Sequence, residues 1–218
     1  MDWQSHVERE QARYEDGERR LPGAEDRDAR QRQLTRLGNA AGGAGLALLM
    51  DGRPDEANEW LNRAAERYLE SFAEAPPGSW GRPIGAMKAR ILAGDWEAAR
   101  KDARWALDAG AAAADSPIGR YAAALANLIL GDDEEARVHA DAIRVRDDFP
   151  RSVGDALAFV AARDVLGYTQ AVEAVLESFE TRDEYLEDIP AADTVLVLQA
   201  LARRRDLTVS LTSPLLPG

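Results

Sequence analysis

Four glycines set a repeat that strongly limits how this chain can fold. Gly52, Gly94, Gly131 and Gly167 each follow an apolar run: Leu48-Leu49-Met50, Ile91-Leu92, Leu128-Ile129-Leu130 and Val165-Leu166. Five, nine and twelve residues further on stand Ala57/Leu61/Ala64, Ala99/Ala103/Ala106, Ala136/Ala140/Ile143 and Val172/Leu176/Phe179, all apolar. Within each set the spacing is four and then three, which marks one face of a helix. Glycine tolerates the left-handed backbone that closes a helix. The pattern therefore predicts a helix, a glycine elbow, and a second helix folding back antiparallel, with small side chains allowing close approach. One such hairpin cannot cover its own apolar face, so neighbours must stack. The predicted fold class is all-α: stacked antiparallel helical hairpins in one array, with a short extended C-terminal tail.

The rest of the chain is punctuated to match. Leu34, Leu37, Ala41 and Leu48 keep a helical spacing. Pro54, Pro76-Pro77, Pro83, Pro117, Pro150 and Pro190 each stand beside an expected helix boundary. Ser116-Pro117 reads as an N-cap followed by proline at the first helical position. Asp132 with Glu135 has the form of a capping box. Only Thr208-Val209-Ser210-Leu211-Thr212 alternates as a strand would. The reading yields nine or ten helices. A charged N-terminal helix near residues 3 to 20 is expected to dock loosely, within a segment 1–23 set apart from one repeat domain over 24–218.

Composition excludes several function classes. In 218 residues, 39 acidic side chains face 27 basic ones, a formal charge of −12. That balance opposes non-specific nucleic-acid binding, which needs excess cationic surface. There is no cysteine, and the only histidines are His6 and His139. Thiolate chemistry is thereby ruled out, and histidine metal sites and most catalytic triads are hard to build. No cofactor and no metal is expected. Only two basic residues, Lys88 and Lys101, are lysines. A GC-rich genome produces such an arginine bias as readily as protein function does. Together with the acidic surplus, it also suits a salt-rich cytoplasm, where screening lowers carboxylate repulsion. No apolar stretch reaches about 18 residues, so no membrane span is expected. The opening Met-Asp-Trp-Gln-Ser-His lacks the form of a secretory leader. The expected location is the cytoplasm.

Several features invite chemistry, and each has a plainer explanation. The run Leu37 to Gly45 is glycine-rich but lacks the Lys-Ser or Lys-Thr ending of a phosphate loop. Close helix packing explains it better. The acidic cluster Asp132 to Glu135 lacks the alternating ligands of a calcium loop and reads as helix capping. His139 reads as a partly exposed helix residue, because no motif supplies it with a nucleophile or a substrate group. Arg203-Arg204-Arg205 stands where the last helix should end and suits the negative helix terminus. Trp60, Trp96 and Trp105 read as packing residues on second helices.

Gly94-Asp95-Trp96-Glu97-Ala98-Ala99 and Gly131-Asp132-Asp133-Glu134-Glu135-Ala136 resemble the turn and second-helix start of tetratricopeptide repeats, a likeness covering roughly residues 34 to 180. In such arrays the first helices line a concave groove. Counted back from the last three glycines, the groove positions are Ile84, Tyr121 and Leu157, then Lys88, Leu125 and Ala161, then Ile91, Leu128 and Asp164. Lys88, Tyr121 and Asp164 are accordingly the candidate partner-binding residues. The alternative is a groove packed shut by the N-terminal helix or by Leu211 to Leu216, with Lys88 and Asp164 paired to other charges.

The C-terminal quarter carries a second resemblance. Val195-Leu196-Val197-Leu198-Gln199-Ala200-Leu201-Ala202-Arg203-Arg204-Arg205, then Leu207-Thr208-Val209, then Ser213-Pro214-Leu215-Leu216-Pro217 is similar to the ending of the immunity protein 49 family, with Arg205-Asp206 where that family is expected to carry Arg-Gly. The resemblance implies an all-α protein that binds and neutralises a cognate toxin of a bacterial polymorphic toxin system, without catalytic residues. An acidic surface suits a basic toxin such as a nuclease. The alternative is a general adaptor reading a peptide or protein partner in its groove. An enzyme would need a clustered acid–base pair in a pocket, and no such pair is recognisable.

Overall fold

The left-handed elbows form at three of the four glycines: Gly52, Gly94 and Gly131 have φ of 73°, 70° and 94°. These angles come from a computed structural model, which describes residues 2–218, Leu186 by its backbone. An N-terminal helix α1 (Trp3–Arg20) precedes the repeats. Gly52 then joins α2 (Arg27–Met50) to α3 (Pro54–Glu74), and Gly94 joins α4 (Gly81–Leu92) to α5 (Trp96–Asp108). Gly131 joins α6 (Pro117–Leu130) to α7 (Asp133–Arg144). Completing the chain are α8 (Arg151–Ala162), α9 (Val165–Glu180) and α10 (Asp193–Arg203). The fold is all-α, and no strand occurs among the described residues. Thr208 to Thr212 runs without a ladder partner.

The fourth elbow is not at a glycine. Helix α8 ends on Arg163, whose φ is 54°, and α9 begins at Val165. Gly167 instead lies in the first turn of α9. A Cβ there would come within 2.5 Å of the Phe159 ring, so this glycine serves the close approach of α8 and α9. Even so, all twelve expected seam residues are buried, including Val172, Leu176 and Phe179. The shift from Gly167 to Arg163 is four residues, close to one turn of about 3.6, so the same helix face stays inward.

The contacts group the chain into two compact units, a division different from the expected 1–23 and 24–218. The first unit comprises the chain through Asp95, with Asp183–Ala191 and Pro214–Gly218. Here α1 packs on α2, α2 on α3, and α3 on α4. Far from docking loosely, α1 buries Val7, Glu10, Tyr14 and Gly17. Gly17 comes so close to α2 that a Cβ would meet Leu37 at 2.7 Å. Helix α2 owes its central place to its small residues. The Tyr68 ring of α3 is clasped between Gly38 of α2 and Gly85 of α4, and a Cβ at either would stand 2.8 Å from it. Gly45 admits Leu61 in the same way. The glycine-rich run is therefore a packing device, as expected.

A polar network reaches from the surface into this unit. Glu10 is fully buried and accepts hydrogen bonds from Arg9 Nε and Arg13, each at 2.8 Å. Arg13 also pairs with Glu187. Glu187 accepts from Asn39 Nδ2 at 2.8 Å, and the Tyr68 hydroxyl donates to Asn39 Oδ1 at 2.9 Å. Glu187 and Asp188 both have φ of 55°, and these charge-assisted bonds hold the turn in that sparsely populated conformation.

The second unit comprises Trp96–Arg182 and Ala192–Ser213. Helices α5 to α9 pack each on the next, and α10 lies against α8 and α9. Its centre is alanine-rich, and Ala122, Ala123, Ala124, Leu125 and Ala126 are all fully buried. Ser116 caps α6 as expected, accepting from the Gly119 amide at 3.2 Å. Asp132 does not complete a capping box, for its side chain makes no cap hydrogen bond. The next residue, Asp133, accepts from Arg205 Nε at 2.9 Å. Arg205 is itself buried, and it also donates to the carbonyls of Leu201 (3.2 Å) and Leu128 (2.8 Å). The last arginine of the triplet thus ties α10 to α6 and α7 rather than simply facing its own helix end.

Candidate interaction surface

The three residues singled out from the sequence fall in different settings. Lys88 lies half-buried on α4 in the first unit. Tyr121 is 8% exposed on α6 in the second unit, with its ring 5.4 Å from that of Phe149. Asp164 is exposed but lies outside α8. It is the N-cap of α9, accepting from the Gly167 amide at 3.0 Å. Measured from the true elbow at Arg163, the groove positions of α8 are Val153, Leu157 and Val160, and all three are buried. The misplaced elbow is what put Asp164 on a groove face.

Buried, too, are the other apolar groove positions: Ile84, Ile91, Leu125, Leu128 and Ala161. A more informative surface consists of the large apolar side chains that remain in water. Among the described residues they are Trp105, Ile118, Val138, Val145, Val165 and Leu166, and every one belongs to the second unit. Val145 and Leu166 are the most open, at 80% and 76%. Val138 lies within α7, and Val145 is the residue that caps its C-terminal end. Val145 borders a cleft of about 690 Å³ that is also lined by Asp141, Arg144, Arg146, Asp147, Phe149 and Arg151. The Phe149 ring packs on Tyr121, so this sequence candidate supports the cleft from beneath. Within the cleft, Arg144 donates to Asp155 at 2.6 Å and to Asp141 at 3.2 Å. Arg146 and Asp148 form two bonds of 2.8 Å, and the pairing holds the Asp148 carboxyl below the usual range.

His139 is not the partly exposed residue expected from the sequence. It is 4% exposed, and its Nδ1 lies 3.4 Å from an Arg120 nitrogen. Burial and then the Arg120 charge lower its pKa, while Glu135 acts in the opposite sense. The neutral form of the imidazole is thus favoured in the folded chain. Sequence periodicity could have located it: His139 directly precedes Ala140, and the seam of α7 is wider than the counted positions. One tryptophan of each unit carries a cation. Arg63 lies 4.6 Å over Trp60, and Arg204 lies 4.4 Å over Trp96.

Among the described residues, no group of three or more His, Asp or Glu is placed to hold a metal ion. None of the described helices is long and apolar enough to cross a membrane. No known family model, curated protein or solved structure matches this chain.

Proposed function

We propose that this is a non-enzymatic protein-binding helical-hairpin protein that acts in the cytoplasm, and that its role is to bind and neutralise a cognate toxin. The observation that carries this reading is that, among the described residues, the large exposed apolar side chains all lie in the second unit. Apolar side chains left in water, above all Val145 and Leu166, are available to be covered by a partner. The charge of −12 favours a basic partner, since complementary fields speed encounter and disfavour wrong partners. The same charge favours a salt-rich setting, in which carboxylate repulsion is screened. Occlusion requires a surface and no reacting groups, which fits the cleft beside Val145, where Arg144 and Arg146 are already bonded to carboxylates.

The test uses the product of the neighbouring gene. The full chain is expected to bind that product in a pull-down and to rescue cells that express it. The double substitution Val145→Asp and Leu166→Asp changes only exposed positions. It is expected to leave the melting temperature unchanged while weakening binding at least tenfold. Absence of both binding and protection overturns the reading.

A further inference from the structure

A second cleft in the same unit has a different character. It holds about 110 Å³ and is lined by Arg100, Arg163, Arg204, Arg205, Asp133 and the Leu128–Gly131 end of α6. Four guanidiniums surround one carboxylate on a chain whose net charge is strongly negative. Arg205 is committed, because its donors go to Asp133 and to the carbonyls of Leu128 and Leu201. Those bonds also take up helix-end carbonyls that would otherwise repel an anion. Arg163 reaches Asp133 at 3.4 Å, which leaves most of its fork unused. Arg100 and Arg204 have no carboxylate partner among the described residues. Arg204 is held in place against the Trp96 face.

We propose that this cleft binds a single tetrahedral oxyanion of the inorganic phosphate type, gripped by Arg100, Arg163 and Arg204 over a floor formed by Arg205 and Asp133. Planar guanidinium forks match the oxygens of such an ion and bind it in pairs of hydrogen bonds. The volume is far below the roughly 300 Å³ of pockets that take larger organic ligands, so a small ion fits and a nucleotide does not. Stacking on the indole fixes Arg204 in advance, which lowers the ordering cost of binding. The contrast with the first unit supports this choice. There, Arg19, Arg20, Arg32 and Arg36 line a wider cleft of about 510 Å³, but Arg19 and Arg20 both pair with Asp16, and Arg32 pairs with Asp28. Arginines already matched to neighbouring carboxylates have less charge to offer an anion than Arg100 and Arg204 do.

The experiment titrates inorganic phosphate into the full chain by calorimetry, with ionic strength held constant by potassium chloride. Saturable binding of one phosphate per chain is expected, with sulfate competing and nitrate not. The double substitution Arg100→Gln and Arg204→Gln should weaken it at least tenfold at an unchanged melting temperature. The pair Arg19→Gln and Arg32→Gln should leave it within twofold. Absence of saturable binding overturns the proposal, as does an affinity that survives the first pair or falls with the second. This site does not depend on the toxin-binding reading, since neither Val145 nor Leu166 lines it.

Discussion

The two units solve one packing problem in opposite ways. In the first, glycines let three helices close on bulky side chains, as where Gly38 and Gly85 grip the Tyr68 ring. One polar network runs from Glu10 through Arg13, Glu187 and Asn39 to Tyr68, and none of this unit's described large apolar side chains is exposed. The second unit builds its centre from alanines, and six large apolar side chains remain in water. Small residues at the centre bring helices near, while these larger ones stay on the outer faces. The lesson is that sealing a core and presenting a surface are alternative uses of the same helical spacing.

The largest expected effect lies in the first unit. Tyr68→Ala should empty the space between Gly38 and Gly85 and strand Asn39, for a loss of about 3–5 kcal/mol in denaturant unfolding. If the loss is below about 1 kcal/mol, the clasp does not hold this unit together and the contrast fails.

A middle-sized effect separates the second unit by pH. The folded state holds His139 neutral, with its pKa lowered by burial and by Arg120. Below the unfolded value of about 6.5 the unfolded chain therefore binds more protons. Stability should fall as pH drops from about 6.5 toward the lower folded value, at no more than about 1.4 kcal/mol per pH unit. Urea unfolding of His139→Gln should lack that component of the slope. An unchanged slope would show that the imidazole is not protected from protonation.

The smallest effect probes the odd elbow. Arg163 adopts a left-handed backbone that suits glycine better, so Arg163→Gly should stabilise by about 0.5–1 kcal/mol, offset in part by the loss of its 3.4 Å pair with Asp133. A thermal melt that falls instead would make the ion pair the stronger contribution.

Much of this was legible in advance, and the misses have physical causes. The seam residues Ala57 to Phe179 announced themselves because helical periodicity survives a misplaced elbow when the error is about one turn. The location of Asp164 did not survive, since a capping position depends on the individual residue and not on the face. The capping box at Asp132 and Glu135 read well locally, yet a residue 72 positions away took the neighbouring Asp133 into an ion pair. Likewise the triplet Arg203-Arg204-Arg205 looked like one feature and became two, a buried tie at Arg205 and a stacked cation at Arg204.

Local sequence alone determined that this chain is helical, where most helices break, and which stripes turn inward, because spacing, glycine conformation and proline chemistry act within a few residues. Tertiary structure decided that the contacts separate into two units, that the turn at Glu187 and Asp188 returns to α1 and α2, and that Arg100, Arg163 and Arg204 share a cleft. Those outcomes join side chains far apart in the chain, and they depend on which surfaces meet once the helices have formed.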